Sequence, residues 1–245
     1  MLKQKVFFMH IAKTAGSKVN TLFQNVVDGE RYQEHCEFKI NEFDNLIEEK
    51  DFISGHVYYM KLRKHLGEFY KFTVLRSGVS HLSSHLLWLD HYNLPEKKAE
   101  LNRLSPDIQE VVYQIANTDI NDYKELDYLL CNLDETGIKL LDNCQSRYFL
   151  NLDRAINMAD IPAILATANE FDRIVFQDNF IAGIDEVFND LGMEDCKAGL
   201  DFASKVNEKK SQRKIDVSSP ILRQVLSRRC MVDERVFNLL KSKRA

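Results

Sequence analysis

Linkers are what this sequence lacks most visibly. Four prolines and nine glycines are spread over 245 residues, and no Ser/Gly/Pro-rich stretch divides them. A single domain spanning 1–245 is therefore expected, large enough to bury one sizeable core. No apolar run approaches the roughly 20 residues of a membrane span. The N-terminus lacks signal-peptide build, because a strand-like run starts at about Val6. Five cysteines (36, 131, 144, 196 and 230) are odd in number and contain no CxxC pair. That pattern argues for reduced thiols and a cytoplasmic protein, and against disulfides or a cysteine-built zinc site. A formal charge of −4 gives no field suited to a long polyanion, so no nucleic-acid partner is expected. Internal repeats and low-complexity tracts are absent as well.

What is present alternates. "VFFMHI" (6–11) is a continuous apolar run, the pattern of a strand buried on both faces of a parallel sheet. Val19, Leu22, Phe23, Val26 and Val27 then recur at helical spacing. "DFISGHV" (51–57), "KFTVLR" (71–76) and "RIVFQ" (173–177) are rich in aromatic or β-branched residues and predict three further strands. Val79, Leu82, Leu86 and Leu89 make one helical face, and "DIPAILATANEF" (160–171) a second helix. "SPDIQEVVYQIAN" (105–117) opens with Ser105 as N-cap and Pro106 at the first helical position. "FIAGIDEVFNDLGM" (180–193) is amphipathic and stops near Gly192. Strand–helix alternation of this kind predicts an α/β fold with a central parallel sheet flanked by helices.

Two strand-to-helix corners carry the chemistry. At the first, "HIAKTAGS", Gly16 permits a sharp turn, Thr14 and Ser17 bring hydroxyls, and Lys13 brings a point charge. With the N–H groups of a helix start and its dipole, these residues suit an anion. A small-residue turn beside an exposed lysine reads equally well, because "KTAGS" departs from the GxxxxGK[ST] pattern. At the second corner Arg76 closes a strand, and Ser84 lies eight residues on. Arginine has the planar fork that phosphate oxygens favour.

Taken together, these segments resemble a known family. "HIAKTAGS" resembles the HIPKTGGT-like opening of the membrane-type carbohydrate sulfotransferases and their bacterial relatives. "VLRSGVSHLSSHL" resembles their LRDPVERFLSHY segment, with Arg76 and Ser84 in register. "SGHVYYMKL" is similar to the GHVxYLDF stretch of the uronosyl (heparan sulfate) 2-O-sulfotransferase branch, and "DNCQSRYFL" (142–150) to an N-x-Q-[ST]-R segment. "RIVFQDNFIAGIDEVFNDLGM" resembles the family's late strand and helix, and "KVNEKKSQRK" (205–214) falls where it carries a basic loop. The likeness runs from about residue 6 to residue 240.

The resemblance implies a P-loop-kinase-like sulfotransferase fold and 3′-phosphoadenosine 5′-phosphosulfate (PAPS) as sulfuryl donor, with no metal. On that basis Lys13, Thr14, Ala15, Gly16 and Ser17 would hold the 5′-phosphosulfate. Arg76 and Ser84 would hold the 3′-phosphate, and Lys209, Lys210 and Ser211 would cover the nucleotide. His56 would be the general base toward an acceptor hydroxyl, implied to be that of a carbohydrate, and Lys13 would stabilise the leaving phosphate oxygen. Ala12 stands in place of the family's proline, Ser77-Gly78 in place of Asp-Pro, and Ser54 where the uronosyl branch has a second histidine. The last difference turns the expectation away from a uronic-acid acceptor.

Other readings remain beside this one. His10 reads as a structural strand residue, and His35, His65 and His91 as surface or loop residues. His81 and His85 have the i, i+4 spacing of zinc ligands, but with no third ligand nearby they read as structural residues. Gln145 and Arg147 fit either a ligand contact or a packing role. The segment from about Leu94 to Leu141 is expected to shape the acceptor side. A kinase of related fold is the rival enzyme, opposed by the missing GK[ST] and the want of a strand-end aspartate for Mg²⁺. A binding protein without catalysis is the third reading.

Overall fold

The computed structural model describes residues 2–197 and 213–243. They form two compact units: 2–76, 148–151 and 162–197 in one, and 77–147, 152–161 and 213–243 in the other.

The first unit is built on a five-stranded, all-parallel sheet flanked by helices. Its strands are β1 (Val6–Met9), β2 (Tyr32–Gln33), β3 (Phe52–Gly55), β4 (Tyr70–Leu75) and β5 (Arg173–Phe176). Their order is β2-β3-β1-β4-β5. In the central register Val6 lies opposite Phe52 on one side and Tyr70 on the other. All four β1 side chains are buried, which is why this strand is apolar without alternation. Val6 and Phe8 pack with Phe52, Phe72 and Val74 beneath Val19, Leu22 and Phe23 of the Gly16–Gln24 helix. Ile184, Val187 and Phe188 of the Phe180–Asp190 helix complete that core. Phe8 stacks on Phe72 with ring centroids 4.8 Å apart, and Phe23 on Phe52 at 4.4 Å.

Four of the five strands coincide with sequence-predicted runs: β1, β3 and β5 are shorter than their runs, and β4 begins and ends one residue earlier. The fifth, β2, was not foreseen. Its two residues sit between Glu30-Arg31 and Glu34-His35, so it has no apolar run to announce it. Pairing with Phe52 and Ile53 is what makes it a strand. The Phe180–Asp190 helix ends as expected at Gly192, which takes φ +66. Gly192 N–H donates to Asn189 O at 2.9 Å and Met193 N–H to Phe188 O at 2.8 Å, closing a Schellman motif.

The second unit is helical. Val79, Leu82, Leu86 and Leu89 of the Gly78–His91 helix pack with Val111, Val112 and Ile115 of the Pro106–Ala116 helix. Leu126 and Leu130, from Tyr123–Cys131, and Leu222 and Leu226, from Pro220–Arg229, close the same core. Ser105 holds the N-cap position with extended backbone, but its side chain makes no capping bond. Asp122 and Asp134 do cap their helices, accepting from Lys124 and Glu125 N–H and from Gly137 N–H respectively.

The "DNCQSR" segment forms a buried polar knot in this unit. Arg147 is 1% exposed and faces Asp142 at 3.3 Å. It also donates to the carbonyls of Leu152 (2.8 Å) and Arg154 (3.0 Å). Asn143 takes the left-handed conformation, φ 43, and its Oδ1 accepts from Val232 and Asp233 N–H. Asp233 in turn accepts from Gln145 and Ser146 N–H at 3.2 and 2.7 Å. Burial pushes the Asp233 carboxyl up to about 6. Asp142, Asn143, Asp233 and the terminal nitrogens of Arg147 are held by partners across a turn of chain, so this segment fixes backbone.

Among the described residues no helix is long and apolar enough to cross a membrane.

Candidate functional site

In open parallel sheets, ligands lodge beyond the carboxyl ends of the strands, where neighbouring connections leave in opposite directions. Here that point lies between β1, whose connection returns to β2 at one edge, and β4, which leads on to β5 at the other. The residues just past β3, β1 and β4 are therefore the ones to inspect. They include His56, the loop 10–17 and Arg76.

The loop after β1 is tightly specified. Lys13 and Ala15 both adopt left-handed backbone, φ 66 and φ 71. Such conformations are uncommon for residues with a Cβ and persist where the surroundings impose them. Thr14 is fully buried, and its hydroxyl donates to Ile11 O at 2.8 Å, so it braces the loop from inside. Lys13 is half-buried and Ser17 exposed. The Ala15 carbonyl accepts from Lys18 and Val19 N–H to start the helix. The N–H groups of Gly16 and Ser17, in its first turn, have no carbonyl of that helix to bond.

Gly16 is needed for a reason the sequence did not disclose. The left-handed positions belong to its neighbours, whereas a Cβ on Gly16 would lie 1.9 Å from the His10 ring. His10 is buried against that glycine and stacks on Phe8, ring centroids 5.5 Å apart. Burial, assisted by His56 and His35, drives its pKa down to about 2, so the ring stays neutral.

His56 follows Gly55 at the end of β3. Its ring lies 4.2 Å from that of His10, and its Nδ1 is 2.7 Å from the His10 carbonyl oxygen. A carbonyl only accepts, so Nδ1 carries the proton and Nε2 the lone pair. The backbone N–H of His56 donates to Glu37 Oε2 at 2.9 Å, while Glu37 Oε1 lies 3.0 Å from His35 Nδ1. Burial lowers the His56 pKa below the ordinary histidine value; the Glu37 carboxylate and the His10 carbonyl oppose that shift in part. At neutral pH His56 is thus a neutral imidazole, oriented at one nitrogen and basic at the other.

Glu37 and His35 are the members of this group that sequence reasoning missed. They lie in a polar stretch, "YQEHCEFK", with no periodicity. Their ligand-type atoms and that of His56 fall within 4.8 Å of one another. His35 adopts left-handed backbone, φ 54, at the start of the Cys36–Glu42 turn, and this carries Glu37 back to the end of β3.

Arg76 is half-buried directly after β4. Burial lowers its pKa from the ordinary arginine value, but a guanidinium remains charged throughout the working range. Ser84 is a half-buried residue of the Gly78–His91 helix, in the helical unit. The start of that helix is met by the protein's own carboxylate, since Val79 N–H donates to Glu234 Oε1 at 2.9 Å. Ser54 is fully buried and donates to Asn20 Oδ1 at 2.9 Å. Gln145 and Arg147 belong to the polar knot described above. Lys209, Lys210 and Ser211 lie outside the described residues. No family model matches the chain, and a search of curated proteins returns no match.

Proposed function

We propose that this protein is a sulfotransferase that moves the sulfuryl group of PAPS to an acceptor hydroxyl, on a P-loop-kinase-like scaffold. One observation carries the reading. Three adjacent parallel strands, β3, β1 and β4, end at one edge of the sheet, and just past them stand a neutral histidine, a lysine loop and an arginine. The donor has two anionic ends and needs two cationic anchors; the acceptor needs a base.

Each residue has a definite task. The loop 13–17 receives the 5′-phosphosulfate. Left-handed residues at 13 and 15 favour the concave run of N–H groups that binds anions. Arg76 receives the 3′-phosphate. His56 Nε2 takes the acceptor's proton as its oxygen attacks sulfur, and Nδ1–H stays on the His10 carbonyl. The bond from sulfur to the 5′-phosphate oxygen breaks on the opposite side, and Lys13 meets the charge left there. The products are a sulfate ester and 3′-phosphoadenosine 5′-phosphate. Transfer of this kind has a loose transition state, so position and charge contribute more than covalent chemistry. The short motifs shared with carbohydrate sulfotransferases favour a sugar hydroxyl as acceptor.

Binding of 3′-phosphoadenosine 5′-phosphate tests the reading. At about 100 times its Kd the nucleotide should add about 2.7 kcal/mol, and raise Tm by about 5–10 °C, without magnesium. Arg76→Ala should weaken it by about 10–100-fold while changing adenosine 5′-phosphate little. Stabilisation by Mg·ATP alone would instead identify a kinase.

A further inference from the structure

The Gly78–His91 helix places His81 and His85 one turn apart on the same side. Their rings are 5.6 Å apart, and His81, His85 and Cys144 are 1%, 3% and 7% exposed. One ligand atom from each of the three lies within 4.8 Å of the others. The sequence holds seven histidines and five cysteines, and all three of these converge inside the helical unit, although 59 residues separate His85 from Cys144. The geometry points to a transition-metal site of the zinc class formed by His81, His85 and Cys144, separate from the sheet-edge residues that carry the proposed transfer.

The donor set selects the metal. Two imidazoles and a thiol, with no carboxylate among them, suit zinc or a metal of similar softness and disfavour calcium and magnesium, which take oxygen ligands. Tetrahedral zinc holds nitrogen and sulfur ligands roughly 3.3–3.6 Å apart, so the cluster closes by about 1 Å as the ion enters. The Cys144 thiol gives its proton to solvent as the sulfur binds, and zinc keeps its oxidation state throughout.

The position suggests the use. Cys144 opens the Cys144–Phe149 helix, next to the Asn143 turn that Val232 and Asp233 hold. His81 and His85 belong to the longest helix of the unit's core. An ion there ties that helix to the polar knot by coordinate bonds. The three protein donors leave a water as the fourth ligand of the tetrahedral ion, and the transfer chemistry does not pass through it.

Titration of the full chain with cobalt(II), under reducing conditions after exhaustive chelation, decides the matter. The expected result is one equivalent bound, with the visible bands of a tetrahedral ion and a thiolate-to-cobalt charge-transfer band, both displaced by zinc. Cys144→Ser should abolish the charge-transfer band, and His81→Gln, which keeps the sulfur, should weaken zinc at least tenfold. His35→Ala should leave all of this intact. A folded wild-type chain showing no thiolate band would overturn the assignment. So would a band that survives Cys144→Ser, or metal lost on His35→Ala and retained in His81→Gln. Nucleotide binding is read separately, so failure of either proposal leaves the other standing.

Discussion

Two polar clusters in this molecule, one of histidines around a glutamate and one of aspartates around an arginine and an asparagine, behave in opposite ways. At the end of β3, His56 is anchored through Nδ1, and no described residue hydrogen-bonds its Nε2. In the helical unit, Asp142, Asn143, Arg147 and Asp233 are tied to one another and to backbone groups of Leu152, Arg154, Ile156 and Val232. The first cluster leaves a reactive atom uncommitted. The second commits its groups to fixing a turn. Both clusters are rich in the residue types usually read as catalytic, and only hydrogen-bond bookkeeping separates them.

The sharpest way to break this contrast is to remove one member of each. If the proposed sulfuryl transfer is this protein's activity, His56→Ala should cut it by about 10²–10⁴-fold, leave the nucleotide-dependent rise in Tm in place, and cost little stability. Because burial holds the His56 pKa down, the acid limb of the wild-type rate profile should fall below the ordinary histidine value, near 6.5. Unchanged turnover in the alanine variant would end the assignment of the base. Arg147→Ala should do the reverse: a loss of up to about 3–5 kcal/mol in a denaturant titration, from a buried Asp142 carboxylate left with Arg229, at 3.5 Å, as its one cation among the described residues.

Gly16→Ala probes the sheet-edge cluster from below. The new methyl meets the His10 ring, so a cost of about 1–3 kcal/mol is expected, together with a displaced His56 and reduced transfer. A fully stable and active variant would show that the ring yields easily.

The two clusters should also answer to pH with opposite sign. His10 titrates at about 2 in the folded chain and near 6.5 when unfolded. Below pH 6.5 the unfolded chain gains a proton that the folded chain refuses, so stability falls as pH drops, by about 2 kcal/mol at pH 5. Asp233 titrates at about 6 when folded and near 3.8 when unfolded. Its contribution is complete below 3.8 and is lost as pH rises through 6. Asp233→Asn should therefore steepen the net loss of stability on acidification between pH 6 and pH 4, leaving the His10 slope exposed.

Much of the sheet was legible because parallel strands announce themselves. Val6–Met9 is an apolar run buried on both faces, Tyr70–Leu75 is buried at every position but Lys71, and each is followed by helical periodicity. Tyr32–Gln33 was not legible, since a two-residue strand is defined by its neighbour rather than by its own side chains. The site divides the same way. His56 and Arg76 stand next to strand ends and can be found by counting. Glu37 reaches the site only through the left-handed turn at His35, and Cys144 meets His81 and His85 only through the packing of the helical unit. Neither leaves a trace in local pattern. The role of Gly16 was hidden for a related reason: its constraint comes from a ring six residues earlier, turned back by the loop.

One feature of the sheet's outer side bears on how the chain survives at high concentration. β2 pairs with only the first half of β3, so Ser54 and Gly55 would otherwise offer an open ladder to another polypeptide. The Cys36–Glu42 turn covers that stretch: Cys36 Sγ sits 2.5 Å from where a Gly55 Cβ would be, and Glu37 takes the His56 N–H. The segment that orients the histidine is thus also the guard against edge-to-edge aggregation. Variants made at this turn to probe the proposed role of His56 should be screened for self-association as well as for activity.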